Sequence, residues 1–171
     1  MTFNRLLRDF ALCLCSTFFA CSLAAQDKPK PCVLPQYRQL DSWIGDWDAF
    51  DLDAPTKVAA RAHVVGILNG CAVHEDYQQI DGLHGESFSS YDASRGVWHQ
   101  TWVTNFGQLL VLEGKYKDGA LVLSGEDHRK KVLVRVFWKQ MPDYIRERAE
   151  TSSDHGKTWT MLFDMGFRPH K

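Results

Sequence analysis

From residue 46 onward, apolar and polar residues alternate with a period of two, in short stretches separated by turn residues. The clearest stretch is Trp98-His99-Gln100-Thr101-Trp102-Val103-Thr104. Trp98, Gln100 and Trp102 fall on one side of a strand, and His99, Thr101 and Val103 on the other. Lys131-Val132-Leu133-Val134-Arg135-Val136-Phe137-Trp138 is equally rich in β-favouring residues. The pattern predicts strands over 46–52, 57–68, 71–80, 84–92, 96–104, 107–117, 119–127, 131–141, 143–152 and 157–167, with one helical turn at 36–42. Asn69-Gly70, Asp81-Gly82, Arg95-Gly96, Asp118-Gly119 and His155-Gly156 separate these runs. Glycine there suits the positive φ of tight hairpins. Consecutive hairpins predict an all-β, up-and-down antiparallel sheet of about ten strands, and closing it into a single barrel removes its exposed edges.

The chain of 171 residues has the length of one domain. Its start reads as a secretory signal peptide over 1–25. Arg5 and Arg8 precede a short apolar run at 10–19, and Ser22-Leu23-Ala24 offers small residues for cleavage near Ala24 or Ala25. Lipidation at Cys21 is disfavoured because Phe18-Phe19-Ala20 is a poor lipoprotein box. Residues 26–36, with Pro29, Pro31 and Pro35, read as an extended lead-in, and 37–171 as the barrel domain. The product is expected in the periplasm or outside the cell, without an integral membrane segment after processing.

Of five cysteines, only Cys32 and Cys71 lie beyond the signal. An oxidising compartment invites them to form a disulfide, the alternative being two separately buried thiols. Two cysteines are too few for a zinc framework. The seven histidines have no ligand-like spacing, so neither a metal nor another cofactor is expected. The formal net charge of −1, with no long like-charge run, gives no footprint for nucleic acid.

Two tryptophans flanking an amide suit a partly apolar cavity wall with a polar handle. Glu75 and Tyr77 share a face on the strand at 71–80 and meet the Trp98, Gln100 and Trp102 wall if that face is inward. Arg146 and Arg148 share a face at 143–152. Turned inward, an arginine would pair with Glu75 or hold a ligand carboxylate. Turned outward, they would form cross-strand ion pairs, and parity alone does not distinguish the two. Glu75 in an apolar cavity is also a candidate proton shuttle. There is no nucleophile elbow, zinc-protease helix or phosphate loop.

Gly45-Asp46-Trp47, just after the helical turn, resembles the Gly-x-Trp signature of lipocalin-like barrels. The resemblance implies that Trp47 packs beneath an arginine from a late strand, for which Arg168 is the candidate. Ser152-Ser153-Asp154-His155-Gly156-Lys157-Thr158-Trp159 is similar to the Asp-box of sialidases. One copy implies a hairpin clasp in which Asp154 accepts backbone N–H groups, Gly156 supplies positive φ and Trp159 packs under the turn. Residues 40–168 together resemble the domain-of-unknown-function family 1579. These barrels are allied to the lipocalin and fatty-acid-binding (calycin) group. The matching pieces are the stretch 40–47, Asn69-Gly70-Cys71-Ala72-Val73-His74-Glu75, Gly85-Glu86-Ser87-Phe88-Ser89-Ser90-Tyr91-Asp92, 98–103 and 152–163. Phe167-Arg168-Pro169 stands where that family favours Tyr-Arg-Arg. The resemblance implies a fold and carries no catalytic motif.

These readings lead to a secreted barrel binding a small apolar or amphipathic molecule. Its interior would be lined by Tyr77, Trp98, Gln100 and Trp102 and anchored by Glu75 with Arg146 or Arg148. The alternatives are an isomerase- or cyclase-type enzyme that uses Glu75, and a filled barrel serving as an envelope interaction module.

Overall fold

The computed structural model describes residues 31–171. The expected signal segment, its expected cleavage site and Cys21 lie outside the described residues. Ten strands follow one another: β1 (Gly45–Asp51), β2 (Ala60–Ile67), β3 (Ala72–Gln79), β4 (His84–Asp92), β5 (Val97–Thr104), β6 (Leu109–Lys117), β7 (Ala120–Asp127), β8 (Val132–Gln140), β9 (Ile145–Ser152) and β10 (Thr160–Pro169). Each pairs antiparallel with the next, and β1 pairs with β10 to close the barrel. The expected all-β, up-and-down architecture is the one observed.

Hairpin chemistry sets the register. Asp118 and Gly119 both take positive φ (52° and 77°), as do His155 and Gly156 (59° and 85°), matching the right-handed twist of the flanking strands. Two strands start three residues later than the sequence reading places them. β2 starts at Ala60 rather than 57, because the Lys57 amide turns back to Ala54 O (3.0 Å). β10 starts at Thr160 rather than 157, because the side chains of Ser152 and Asp154 hold the preceding residues in a loop.

One end of the barrel is sealed. Instead of a single turn at 36–42, two 3₁₀ segments, Pro35–Arg38 and Asp41–Trp43, lie across it and bury Leu40 and Trp43. The Trp43 indole stacks on Trp47 at 5.5 Å and stands edge-on to Phe167 at 4.8 Å. Trp47 Nε1 donates to Trp43 O (2.8 Å). Gly45 makes this fold-back possible with φ 153°, a conformation that side chains rarely allow. Arg168 does not cover Trp47, which corrects the expected lipocalin-like pairing. Its guanidinium sits 4.8 Å from the centre of the Phe50 ring on the outer face and donates to Pro55 O (2.9 Å). The reason is parity: Trp47 faces the interior, whereas Arg168 pairs with Asp48 on the outer side.

The Cys32–Cys71 disulfide ties the lead-in to the β2–β3 turn, and Arg38 donates to Gly70 O beside it. The Asp-box forms the expected clasp. Asp154 Oδ1 accepts from the Thr158 amide (2.9 Å) and Oδ2 from the Thr158 hydroxyl (2.6 Å). Ser152 Oγ accepts from the Gly156 amide (2.8 Å), and Trp159 Nε1 donates to Gly156 O (3.1 Å).

Candidate ligand-binding site

Inward-facing positions follow the period of two: Ala60, Ala62 and Val64 on β2; Val73, Glu75 and Tyr77 on β3; Ser87 and Ser89 on β4; Trp98 and Gln100 on β5. Ala49 on β1, Ala60 and Ala62 on β2 and Ser87 and Ser89 on β4 take up little of the interior, which is only partly filled. A cavity of about 380 Å³ remains. Among its lining residues, Asp51, Gln79, Leu83, Gln108, Lys130 and Leu162 lie at strand ends and turns away from the Trp43 seal, and form its mouth. Tyr77, Trp102, Leu112, Val136, Trp138 and Met165 give it apolar walls.

Gly85 creates part of this space. A Cβ there would come within 2.3 Å of the Trp102 indole, so the absent side chain leaves room for Trp102 to lie against the wall. Tyr77 stands edge-on to Trp102 at 5.9 Å, and its hydroxyl approaches Met165 Sδ at 3.8 Å. Burial pushes the Tyr77 phenol well above its ordinary pKa, helped by the charges of Glu147 and Glu75.

Glu75 is the polar centre predicted from the sequence. Its carboxylate accepts from the Ser87 hydroxyl (2.8 Å), which in turn accepts from Gln100 Nε2 (3.4 Å). This relay runs across neighbouring strands because Glu75 pairs with Ser87 and Ser89 pairs with Gln100. Loss of water pushes the Glu75 carboxyl up from 4.5 to about 7; the Ser87 bond, which stabilises the charged form, only partly offsets this.

A second acid, Glu147 on β9, lines the same cavity. It is half-buried at the cavity wall. Burial and then the Glu75 charge raise its pKa well above 4.5. No protein hydrogen bond reaches its carboxyl among the described residues. The two acids therefore titrate as a pair in which ionising one opposes ionising the other. The sequence reading missed Glu147 because it weighed the opposite parity of β9. The signal was present in Ile145-x-Glu147-x-Ala149, where apolar neighbours mark the inner face.

The arginines are where the structure departs most from expectation. Arg146 and Arg148 point outward. Arg146 Nε donates to Asp164 Oδ1 on β10 (2.7 Å). Arg148 pairs with Glu150, which also accepts from Arg135 Nε (2.5 Å). Arg135 lies 4.0 Å above the Trp159 ring, so this outer cluster is held by the Asp-box hairpin. Neither arginine anchors anything in the cavity, and neither reaches Glu75. Trp98 is inward but does not line the cavity. It is packed into the sealed end, where Nε1 donates to Gln39 Oε1 (2.9 Å). Tyr77, Gln100, Trp102 and Glu75 are brought together as expected.

Six of the seven histidines form carboxylate pairs on the outer face. They are His63 with Asp46, His74 with Glu86, His84 with Asp76, His99 with Glu113, His128 with Glu126 and His170 with Asp48. Asp76, His84 and Glu86 bring three potential ligand atoms within 4.8 Å of one another. No helix among the described residues is long and apolar enough to cross a membrane. The chain matches no known protein-family model, and no curated protein is detectably similar to it in sequence.

Proposed function

We propose that this protein is an exported carrier or receptor that holds one small, largely apolar or amphipathic molecule inside the barrel. The observation that carries this reading is the cavity of about 380 Å³, closed at the Trp43 end and open at the other. Its size falls in the range of small-molecule sites, roughly 300–1,000 Å³. Aromatic and aliphatic walls with a few convergent polar groups are the composition such sites have. The same space weighs against a barrel filled by its own side chains. Export fits the Cys32–Cys71 disulfide, and the resemblance to calycin barrels points to the same use of the interior.

Native mass spectrometry of the protein, purified without denaturation from the cells that make it, tests the reading. A bound mass released on denaturation, and absent from a variant whose cavity is blocked at Gly85, is the expected result. A clean apo mass, together with no uptake of apolar probes, would overturn it.

A second reading has its own support. Glu75, poised near neutrality beside Glu147, suits a group that both takes and gives a proton at physiological pH. An isomerase or cyclase of this kind would bind its substrate equally well as the Glu75→Gln variant but convert none of it. Conversion by that variant would sink this second reading.

A further inference from the structure

The chemistry of the cavity also bears on the charge of its occupant, an inference that rests on the binding reading above. The groups that face the cavity with a titratable function are Asp51 from β1, Glu75 and Tyr77 from β3, Glu147 from β9 and Lys130 at the mouth. Outside the barrel wall, His74 and Asp76 flank Glu75 in the chain and act on it with opposite sign. The deep part of the cavity thus holds two carboxyls and no cation. Both arginines of β9 are directed away and already engaged by Asp164 and Glu150.

We propose that the cavity takes a small amphipathic amine, its protonated nitrogen at the Glu75 and Glu147 carboxyls and its apolar body against Tyr77, Trp102 and Trp138. Three separate features fit this occupant. Glu147 carries a carboxyl with no protein hydrogen-bond partner among the described residues, so a donor is wanted there. Glu75 receives one hydroxyl from Ser87 and keeps acceptor capacity toward the cavity. The aromatic rings present π surfaces that attract a cation but are indifferent to an alcohol and unfavourable to an anion. A carboxylic acid would instead add a third acid to this pair, with Lys130 at the mouth the sole cation among the lining residues.

The same arrangement couples binding to protons. An ammonium favours the charged form of the pair, so it expels protons that the empty cavity holds near neutrality. Affinity for an amine therefore rises with pH from about 5 to 8, until the amine itself loses its proton nearer 10. The affinity of a neutral probe stays flat over the same interval.

Three probes with one chain length, octylamine, 1-octanol and octanoate, separate the possibilities by isothermal titration calorimetry on the mature protein. The expected order is octylamine tightest, by about tenfold over 1-octanol, and octanoate weakest. In the Glu75→Gln/Glu147→Gln double variant, the preference for octylamine disappears while 1-octanol still binds, and this binding shows that the barrel is intact. Should the double variant fail to fold, the pH dependence in the unmodified protein and the protons released in buffers of different ionisation enthalpy give the same answer. Equal or tighter binding of 1-octanol or octanoate overturns the amine and leaves the carrier standing. No binding by any of the three overturns both.

Discussion

Glu75→Gln is expected to stabilise the protein, by an amount that depends on pH. In the unfolded chain the Glu75 carboxyl titrates near 4.5, and in the barrel it is pushed up to about 7. Below pH 4.5 both states carry the proton and the group is neutral in its effect. Between 4.5 and 7 only the folded state still holds the proton, so each pH unit lowers stability by about 1.4 kcal/mol. Above 7 the penalty has reached its full size, about 3 kcal/mol. A glutamine keeps an oxygen to accept from Ser87 and never ionises, so the penalty vanishes with it. The variant and parent should unfold alike at pH 4 and diverge steadily, with the variant ahead by roughly 6–12 °C in Tm at pH 8. Urea titrations at several pH values measure the same difference without heating. A constant offset between the two proteins from pH 4 to 8 would refute the argument, because it would mean that Glu75 titrates as an ordinary solvated acid. A larger rise would mean that Glu147, freed of its neighbour's charge, sheds part of its own penalty as well.

Other parts of the barrel make independent predictions. Replacing Cys32 and Cys71 by serine should cost about 3–4 kcal/mol in urea unfolding, from the entropy of the 39-residue loop they close, and reductant should then have no further effect. Gly85→Ala should displace the Trp102 indole into the cavity, costing about 1–3 kcal/mol and changing the near-UV dichroism; an unchanged spectrum would contradict the close approach. Asp154→Ala should leave the barrel folded but speed exchange of the Thr158 amide, which Asp154 alone protects. Bonds from Thr158 and Ser152 hold the Asp154 carboxyl down at about 2. The clasp should therefore be complete above pH 3.8 and loosen as pH falls toward 2, which the Thr158 amide resonance can follow.

The fold was legible because its signals are local. Asn69-Gly70, Asp118-Gly119 and His155-Gly156 mark reversals by backbone conformation alone, and the alternation between them leaves few other structures open. The half of the site on β3 and β5 was legible for the same reason, since Trp98-x-Gln100-x-Trp102 and Glu75-x-Tyr77 each display one face. β9 was not, because both of its faces carry charge. Arg146, Arg148 and Glu150 read as well inside as outside until Asp164, Arg135 and Trp159 are seen to meet them from other strands. Trp98 was misplaced along the barrel axis rather than across it. Parity says which face a residue takes but not how deep it sits, and depth here was decided by Gln39 in a segment with no periodicity at all.

Because β10 lies between β1 and β9, the ring is completed only by residues 160–169. A product that ends before Thr160 would be a nine-stranded sheet with bare edges on both β1 and β9. Such edges pair with whatever strand is at hand, and the best-matched strand available is β10 of an intact neighbour. Truncated and complete chains made together should therefore exchange that strand and form mixed dimers, and a synthetic peptide spanning 160–169 should compete for the gap.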